Sequence, residues 1–359
     1  MSCSNLGRLQ ASMAKRCTPA MLISDIANVA WVSGFTGSSA VVLVTPDSAR
    51  LLTDSRYTLQ VAEEVKLMPS FSFANPVTQA DFIAIHGAEM KLSKIGFEAA
   101  SVSYDTWQKW TAKFSGLELY PTPDLIGPLR MVKSADEISK IREACRLADA
   151  AFLHARRMLQ PGVTEYDIGL EIEFYFRRNG ADLAFPPIVV SGERSARPHG
   201  HPSEKRLNNG DFVTLDFGAR LNGQCSDMTR TVVIGSATRR QREVYDAVLR
   251  AQIAGIKALK PGAQARDVDA AARDVLASAG LAEYFGHGLG HGLGSVVHDL
   301  GRLSPTSTDT VEVGQVWTIE PGVYIPGFGG VRIEDDAVVT EAGAEILNGT
   351  PKELLTLPD

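Results

Sequence analysis

Two segments of this chain share a pattern that limits what it can fold into. Each is an apolar strand that begins with glycine and ends in a carboxylate, Gly210–Asp216 and Gly314–Glu320. A second acid follows each strand, Asp227 after the first and Glu334 after the second, and each precedes a Val-Val pair. A carboxylate closing an apolar strand is costly to bury unless it is paired or binds metal. The repeat predicts two related halves, each a pair of strands carrying two acids.

The strand period places the acids more closely. Side chains alternate between the faces of a strand, so Asp216 shares a face with Thr214 and Phe212. Taken singly, each acid has the ordinary interpretation of a solvated residue at a strand end. Four carboxylates at matched positions would repel one another, and a metal centre is the natural resolution.

Histidines cluster near the second half of this pattern. The glycine-rich run 286–299 carries His287, His291 and His298, and a short loop carries His199 and His201. The run lacks the spacing of a phosphate-binding loop, so we interpret its glycines as letting the backbone pass close to a crowded site. Imidazole with carboxylates suits Mn, Co, Zn or Fe, whereas an all-oxygen set suits Mg or Ca. Two metals that share bridging carboxylates fit one imidazole and four acids.

Length and composition bound the remaining choices. The chain has 359 residues, which predicts two domains. It carries 36 Lys and Arg against 42 Asp and Glu, with no basic block, which excludes a general nucleic-acid binder. Neither a signal-peptide core nor an apolar run of ~18 residues is present, so we expect a cytoplasmic protein that does not enter membranes. The four scattered cysteines, Cys3, Cys17, Cys145 and Cys225, predict free thiols.

The order of predicted elements suggests an α+β fold. The first ~125 residues alternate strands and helices in one α/β unit, and the proline-containing run 120–124 is predicted to break it off. A capping box at Ser134 and Glu137 then opens a long helix. Further helices are predicted at about 164–178, 239–258 and 265–278, with strands between and after them. We place the domains at residues 1–126 and 127–359.

The assembled residues resemble a known family. The set Asp216, Asp227, His291, Glu320 and Glu334 resembles the five ligands of the pita-bread metallopeptidases, which include methionine aminopeptidase, aminopeptidase P and prolidase. The surrounding strings FPPIVVSG, SDMTRT, GHGLGHGLGSVVHD, TIEPGVY and VRIEDD match as well. The strings DIANVAWVSGFTGSSA and LLTDSRY resemble the creatinase-type N-terminal domain of the proline-specific members. The resemblance covers nearly the whole chain.

The resemblance implies an enzyme that cleaves the bond before proline, with two divalent metal ions as cofactors. Asp216 chelates one metal, His291 and Glu320 complete the second, and Asp227 and Glu334 serve both. A hydroxide held between the metals is the implied nucleophile. We expect Mn, with Co or Zn as alternatives.

Further roles follow from the same resemblance. His199 and His298 match histidines that contact the substrate, and Glu320 is the expected proton shuttle. His287 matches a position lining the proline pocket, and Tyr324 and Arg332 match supporting positions around it. Asp299 stands where the family often has Glu, which we interpret as a minor change. His201 matches weakly, and we interpret it as a surface loop residue.

These observations favour a Xaa-Pro aminopeptidase that acts on peptides with proline in second position. The close alternative is a Xaa-Pro dipeptidase, because both use one metal site; the compact N-terminal domain favours the aminopeptidase. Methionine aminopeptidase would leave that domain unexplained. A non-catalytic binding module of the same fold is the remote alternative, which retention of all five ligands disfavours. The resemblance also implies a homodimer.

Overall fold

The structure is a computed structural model that describes residues 4–357. The chain divides into two compact units, Met1–Arg130 and Met131–Asp359. The division lies four residues after the boundary predicted between residues 126 and 127.

The first unit is a mixed sheet with helices. Its helices are α1 (Asn5–Lys15), α2 (Ile26–Ser33), α3 (Thr58–Glu64), α4 (Gln79–Glu89), α5 (Tyr104–Lys113) and α6 (Gly127–Met131). Its strands are β1 (Met21–Ile23), β2 (Ala40–Val44), β3 (Ala49–Asp54), β4 (Ser70–Phe73), β5 (Lys94–Glu98) and β6 (Glu118–Thr122). They lie in the order β4-β3-β2-β1-β5-β6, and only β2 runs antiparallel to its neighbours. The predicted hairpin of β2 and β3 is confirmed.

The predicted break at residues 120–124 is wrong in its first three residues. Strand β6 continues through Pro121 to Thr122, in parallel register with β5. This is physically permitted because β6 is the edge strand of the sheet, where the missing N–H of Pro121 leaves no neighbour unpaired. The unit ends within α6 instead, at Arg130.

The second unit contains long helices and several antiparallel sheets. Its helices are α7 (Ala135–Ala155), α8 (Glu165–Arg178), α9 (Arg239–Ala258) and α10 (Ala265–Ser278). Its first strands are β7 (Asp182–Leu183), β8 (Ile188–Ser191), β9 (Phe212–Phe217), β10 (Ala219–Leu221), β11 (Gln224–Cys225) and β12 (Met228–Ile234). The later strands are β13 (Gly290–Gly292), β14 (Asp299–Leu303), β15 (Val316–Ile319), β16 (Gly322–Ile325), β17 (Gly329–Arg332), β18 (Asp335–Thr340), β19 (Gly343–Ile346) and β20 (Thr356–Leu357).

Helix α7 begins as predicted. The Ser134 side chain accepts the backbone N–H of Glu137, and the Glu137 carboxylate accepts the backbone N–H of Ser134. This capping box satisfies N–H groups that a helix start otherwise leaves without partners. Ile141, Ala148 and Phe152 of this helix are buried at helical spacing, which holds its inner face against the core.

Two of the sheets of the second unit, the four-stranded and the five-stranded one, repeat one arrangement. In the first, β8 pairs antiparallel with β9 and β9 with β12. In the second, β13 pairs antiparallel with β15 and β15 with β18. Each set follows a pair of long helices, and each has its acids at the ends of its last two strands. The repeated order agrees with the two halves predicted from the acid-bearing segments.

Two smaller predictions concern free thiols and membrane-spanning helices. Cys17, Cys145 and Cys225 are free thiols, as predicted, and Cys3 lies outside the described residues. Across residues 4–357, each helix is too short or too polar to cross a membrane.

Candidate metal centre

The acids of the first half lie where β9 and β12 run side by side. Asp216 is in β9, opposite Thr229 of β12, and Asp227 directly precedes β12. Val213 and Leu215 pack into one apolar cluster with Phe217, so the alternate residues of β9 face the other side. Asp216 therefore lies on one face of β9 with Thr214 and Phe212, as the strand period predicts.

The second half contributes one imidazole and two carboxylates. His291 is the central residue of β13, Glu320 directly follows β15, and Glu334 directly precedes β18. The backbone N–H of Glu334 donates to the carbonyl of Thr229 at 3.1 Å, which joins the acid-bearing ends of the two halves. The repeated topology therefore brings both sets of ligands to one place.

All five predicted ligands line a single cleft of about 520 Å³. Nε2 of His291 lies 3.7 Å from Oδ2 of Asp227 and 3.4 Å from Oε1 of Glu320. One donor atom from each of Asp227, His291 and Glu334 lies within 4.8 Å of the others. Donors that share a metal at ~2.1 Å are separated by at most ~4.2 Å, so a small closure of this group would suit one cation.

Electrostatics in the cleft call for a cation. Burial, followed by the charge of Glu334, raises the pKa of Asp227 well above its usual value. Burial, followed by the charge of Glu320, does the same to the pKa of Glu334. Among the described residues, the buried Oδ1 atoms of Asp216 and Asp227 have no hydrogen-bond partner. A divalent cation would supply both the missing partners and the opposing charge, so the residues fit a metal site.

The imidazole of His291 is oriented for ligation. Its Nδ1 lies 3.0 Å from the carbonyl oxygen of Gly292, which can only accept a hydrogen bond. Nδ1 therefore carries the proton, and Nε2 presents its lone pair toward the carboxylates. Burial lowers the pKa of His291 to about 4, so the ring is neutral near pH 7, as a metal ligand must be.

Two residues that hold the ligands were missed at the sequence level. The buried hydroxyl of Thr229 donates to Oε2 of Glu334 at 2.6 Å. Oδ2 of Asp336 accepts the backbone N–H of Asp227 at 2.8 Å. Both lie inside strings that carried the resemblance, SDMTRT and VRIEDD, so the signal was present. Such partners fix ligand orientation and tune a metal site.

A hydrogen-bonded chain runs from the cleft wall to Asp216. Nδ1 of His287 donates to the Gly288 carbonyl at 2.8 Å, so its Nε2 accepts from the Tyr324 hydroxyl at 3.0 Å. Arg332 then donates to Tyr324 Oη at 2.8 Å and to Oδ2 of Asp216 at 2.5 Å. The structure thus brings the three predicted pocket residues together and connects them to the predicted ligand Asp216.

The remaining predicted histidines also line the cleft. The ring of His298 lies 4.5 Å from that of His291, centroid to centroid, at an angle of 78°. Burial lowers the pKa of His298, so it is neutral near pH 7. His199 and the exposed His201 lie on the loop after β8 and reach the same cleft. His201 is therefore a surface loop residue, as predicted, that also borders the site.

Asp299, the departure from the family pattern, contacts the protein itself. Its side chain is buried, and Oδ2 lies 3.4 Å from Nζ of Lys133. Oδ1 accepts the backbone N–H of Leu300 at 2.9 Å. Both carboxylate oxygens are thus engaged beside the cleft rather than in its lining.

Comparisons with known proteins cover nearly the whole chain. Residues 139–341 match metallopeptidase family M24, and residues 6–132 match the creatinase/prolidase N-terminal domain. The Xaa-Pro dipeptidase of Pyrococcus furiosus is 36% identical over 353 residues, covering 98% of this chain and 99% of that relative.

Two solved structures are similar throughout. The Xaa-Pro dipeptidase from Bacillus anthracis has a TM-score of 0.95 and 39% identity, covering 98% of this chain and 99% of that one. The X-Pro aminopeptidase from Thermotoga maritima has a TM-score of 0.90 and 34% identity, covering 97% of this chain and all of that one, 100%. These matches confirm the predicted α+β fold, a creatinase-like domain followed by a pita-bread domain. The family implies divalent metal ions, which the donor set fits. The chain belongs to metallopeptidase family M24.

Proposed function

We propose that this protein is a Xaa-Pro dipeptidase, which hydrolyses dipeptides whose second residue is proline. The observation that carries the proposal is the full-length likeness, at 39% identity, to the Xaa-Pro dipeptidase of Bacillus anthracis. The relative from Pyrococcus furiosus supports the same activity. The dipeptidase therefore replaces the aminopeptidase that the compact N-terminal domain favoured.

The five clustered donors are the proposed ligands of two divalent ions. Asp216, Asp227 and Glu334 supply carboxylates, and His291 and Glu320 complete the set. Mn is the expected metal, with Co or Zn as alternatives, because the set is rich in oxygen with a single imidazole. When bound, such ions supply Lewis acidity that polarises the scissile carbonyl and lowers the pKa of water.

Glu320 is the proposed proton carrier. A carboxylate beside a metal-activated water is suited to exchange a proton with it. Oε1 of Glu320 lies 3.4 Å from Nε2 of His291. From this position Glu320 can take a proton from the attacking water and pass it to the departing proline nitrogen.

Two histidines of the cleft are suited to hold the peptide. His298 and His199 line the cleft, and a ring N–H of an imidazole can donate to a substrate oxygen. The His287 ring, fixed by Tyr324, forms a wall on which the proline ring can pack. Phe185 and Ile188 add apolar surface to the same cleft, which suits a pyrrolidine ring.

The guanidinium of Arg302, in the cleft, favours a dipeptide as the substrate. Arg302 lines the cleft, and its charge, after burial, is the next cause of the lowered pKa of His298. Its Nη1 donates to the carbonyls of Asp299 and Gly301, which fixes the guanidinium in place. In a Xaa-Pro dipeptide the carboxylate directly follows proline, so Arg302 is the proposed partner of that carboxylate.

The test compares substrates of increasing length. Protein loaded with Mn is assayed with Ala-Pro, Ala-Pro-Ala and a longer peptide, and free alanine is measured. A dipeptidase releases alanine from Ala-Pro alone. Release from all three establishes the aminopeptidase, the second candidate, which the likeness to the Thermotoga maritima enzyme favours. Failure with every Xaa-Pro peptide contradicts both.

Arg302 offers a second, independent test. Arg302→Gln should raise KM for Ala-Pro about 10-fold, because it removes a charge-assisted hydrogen bond. Ala-Pro-amide, which lacks the carboxylate, is the matched substrate, and its kcat/KM should change little. Equal effects on the two substrates would contradict the proposed role.

A further inference from the structure

Helix α10 carries an ion pair, Asp269 and Arg273, that contacts the loop containing His287. Asp269 and Arg273 lie one helical turn apart and form two hydrogen bonds of 2.9 Å, Nε to Oδ2 and Nη2 to Oδ1. The side chain of Asp269 is only 1% exposed and that of Arg273 is 26% exposed. A two-point pair with its acid buried is more rigid than an exposed pair at the same spacing.

Both partners hold the loop backbone as well. Arg273 donates from Nη1 to the Phe285 carbonyl at 3.0 Å and from Nη2 to the His287 carbonyl at 2.9 Å. Its guanidinium carbon lies 4.2 Å from the centre of the Phe285 ring. Oδ1 of Asp269 accepts the backbone N–H of Leu289 at 3.0 Å. The pair thus forms hydrogen bonds to the backbone before His287, at His287 and after it.

These contacts matter because His287 itself lies outside the strands of the described residues. His287 lies between a short 3₁₀ turn, Ala282–Tyr284, and strand β13. It is flanked by Gly286 and Gly288, and glycine leaves the backbone free to adopt many conformations. The hydrogen bond of the ring to Tyr324 forms only if the backbone places the ring within reach.

We propose that the pair of Asp269 and Arg273 is a positioning device that sets where the His287 imidazole stands in the cleft, and so sets affinity for the second residue of the substrate. This inference rests on the proposed function, because it takes His287 as the wall for proline. Neither side chain of the pair lines the cleft, so their effect passes through His287. Groups that hold a binding residue in place act on affinity through its geometry.

The first experiment uses the full chain loaded with Mn. Arg273→Lys keeps the charge but removes the planar two-point pairing. We expect KM for Ala-Pro to rise about 5- to 20-fold while kcat stays within about 3-fold, the pattern of lost binding that is uniform between ground state and transition state. Arg239→Lys is the matched control, because Arg239 and Glu243 form an exposed pair at the same spacing on α9. A fall in kcat at constant KM would overturn the proposal.

A double-mutant cycle separates positioning from general packing. If Arg273 acts through His287, Arg273→Lys should change KM by less than about 2-fold in a His287→Ala background. An equal factor in both backgrounds would overturn the proposal. Asp269→Asn, which weakens the pair from its other side, should repeat the pattern and covers the case in which Arg273→Lys folds poorly.

A readout without substrate keeps this inference distinct from the proposed function. The imidazole ¹⁵N signals of His287, assigned by their loss in His287→Ala, should shift in Arg273→Lys and stay fixed in Arg239→Lys. Unchanged signals in Arg273→Lys would overturn the positioning role. If the wild-type protein cleaves no Xaa-Pro peptide while the signals shift, the proposed function fails and the positioning role stands.

Discussion

The two halves of the second unit solve one problem with different residues. In each half a Pro-Gly pair, at residues 161–162 and 261–262, precedes a 14-residue helix, α8 or α10. After each helix comes a set of three paired antiparallel strands, β8-β9-β12 or β13-β15-β18, in or beside which the predicted ligands lie. The first half supplies two aspartates, whereas the second supplies two glutamates and the single imidazole. The shared backbone arrangement determines the positions of the predicted ligands, whereas the residue types at those positions differ between the halves.

The loops that carry the cleft histidines show the same contrast. In the first half Glu165, which is fully buried, accepts from the backbone and hydroxyl of both Ser191 and Ser203. These serines bracket the loop that carries His199, and Arg194 also donates to Glu165. In the second half the acid is Asp269, one turn further along its helix. A buried acid with an arginine thus stabilises each loop, at a different helical position in each half.

The largest effect should come from the ligand that only one half supplies. His291→Ala removes the neutral imidazole between Asp227 and Glu320, which leaves carboxylates that repel one another. We expect kcat/KM for Ala-Pro to fall at least ~10³-fold, with loss of bound metal, because ligand removal disrupts the catalytic ion. Metal content by mass spectrometry and activity are measured together. His154→Ala, on helix α7, is the control and should retain both; activity in His291→Ala would refute the ligand role.

The two buried acids that hold the histidine-bearing loops, Glu165 of α8 and Asp269 of α10, should differ in their contribution to stability. Glu165→Gln places amide protons against donors from Ser191, Ser203 and Arg194, so we expect a loss of about 3 kcal/mol in the free energy of unfolding. Asp269→Asn should lose about half as much, since Asp269 accepts fewer hydrogen bonds. Urea unfolding of both variants measures the difference. Equal losses would show that the two acids are equivalent.

Protonation of Glu320 should make stability depend on pH, and this is measured on protein from which a chelator has removed metal. Burial raises the folded-state pKa of Glu320 from 4.5 to about 7. Stability from this group is therefore fully present below pH 4.5 and is lost as the pH rises through 7. Glu320→Gln removes this titration, so the wild type should lose on the order of 2 kcal/mol relative to the variant between pH 4.5 and 7.5. Identical pH profiles of unfolding would refute the raised pKa.

The sequence predicted those parts of the molecule in which local signals agree. The bounds of α9 and α10 were predicted correctly, because amphipathic spacing ends at Pro-Gly or glycine in both. The five predicted ligands, which the family resemblance singled out among the strand-end acids and the glycine-rich histidine run, line one cleft, and their role as ligands stays a prediction. Helix α1 was not predicted, and Pro121 was taken as a break although it lies in an edge strand.

The positioning residues could not be found in the same way. An acid four residues before an arginine, as in Asp269 and Arg273, is the usual pattern of a solvated helix face. Only the fold shows that Asp269 is buried and that the pair reaches the loop around His287. Glu165 looks like an ordinary acid in the first turn of a helix, and its partners lie 26 and 38 residues away. Contacts that depend on tertiary structure leave no local period in the sequence.

The smallest contrast lies at the helix starts. Thr164 caps α8 in a reciprocal capping box with Asp167, whereas Gln264 precedes α10 and makes no side-chain cap bond. Gln264 has φ −78° and ψ 132°, close to the −85° and 156° of Thr164, and Asp267 already occupies the matching third position. Gln264→Thr should therefore build the missing capping box and raise the free energy of unfolding by about 0.5–1 kcal/mol.

The gain is small because Gln264→Thr also gives up the exposed hydrogen bond from Gln264 to the Thr310 hydroxyl. Thr164→Ala is the reciprocal change and should lose about 1 kcal/mol by removing the existing box. Urea unfolding of the two variants, followed by circular dichroism, measures both shifts. A loss of stability in Gln264→Thr would mean that the Thr310 contact, rather than the cap, fixes the start of α10, and that the halves differ there in kind and not only in degree.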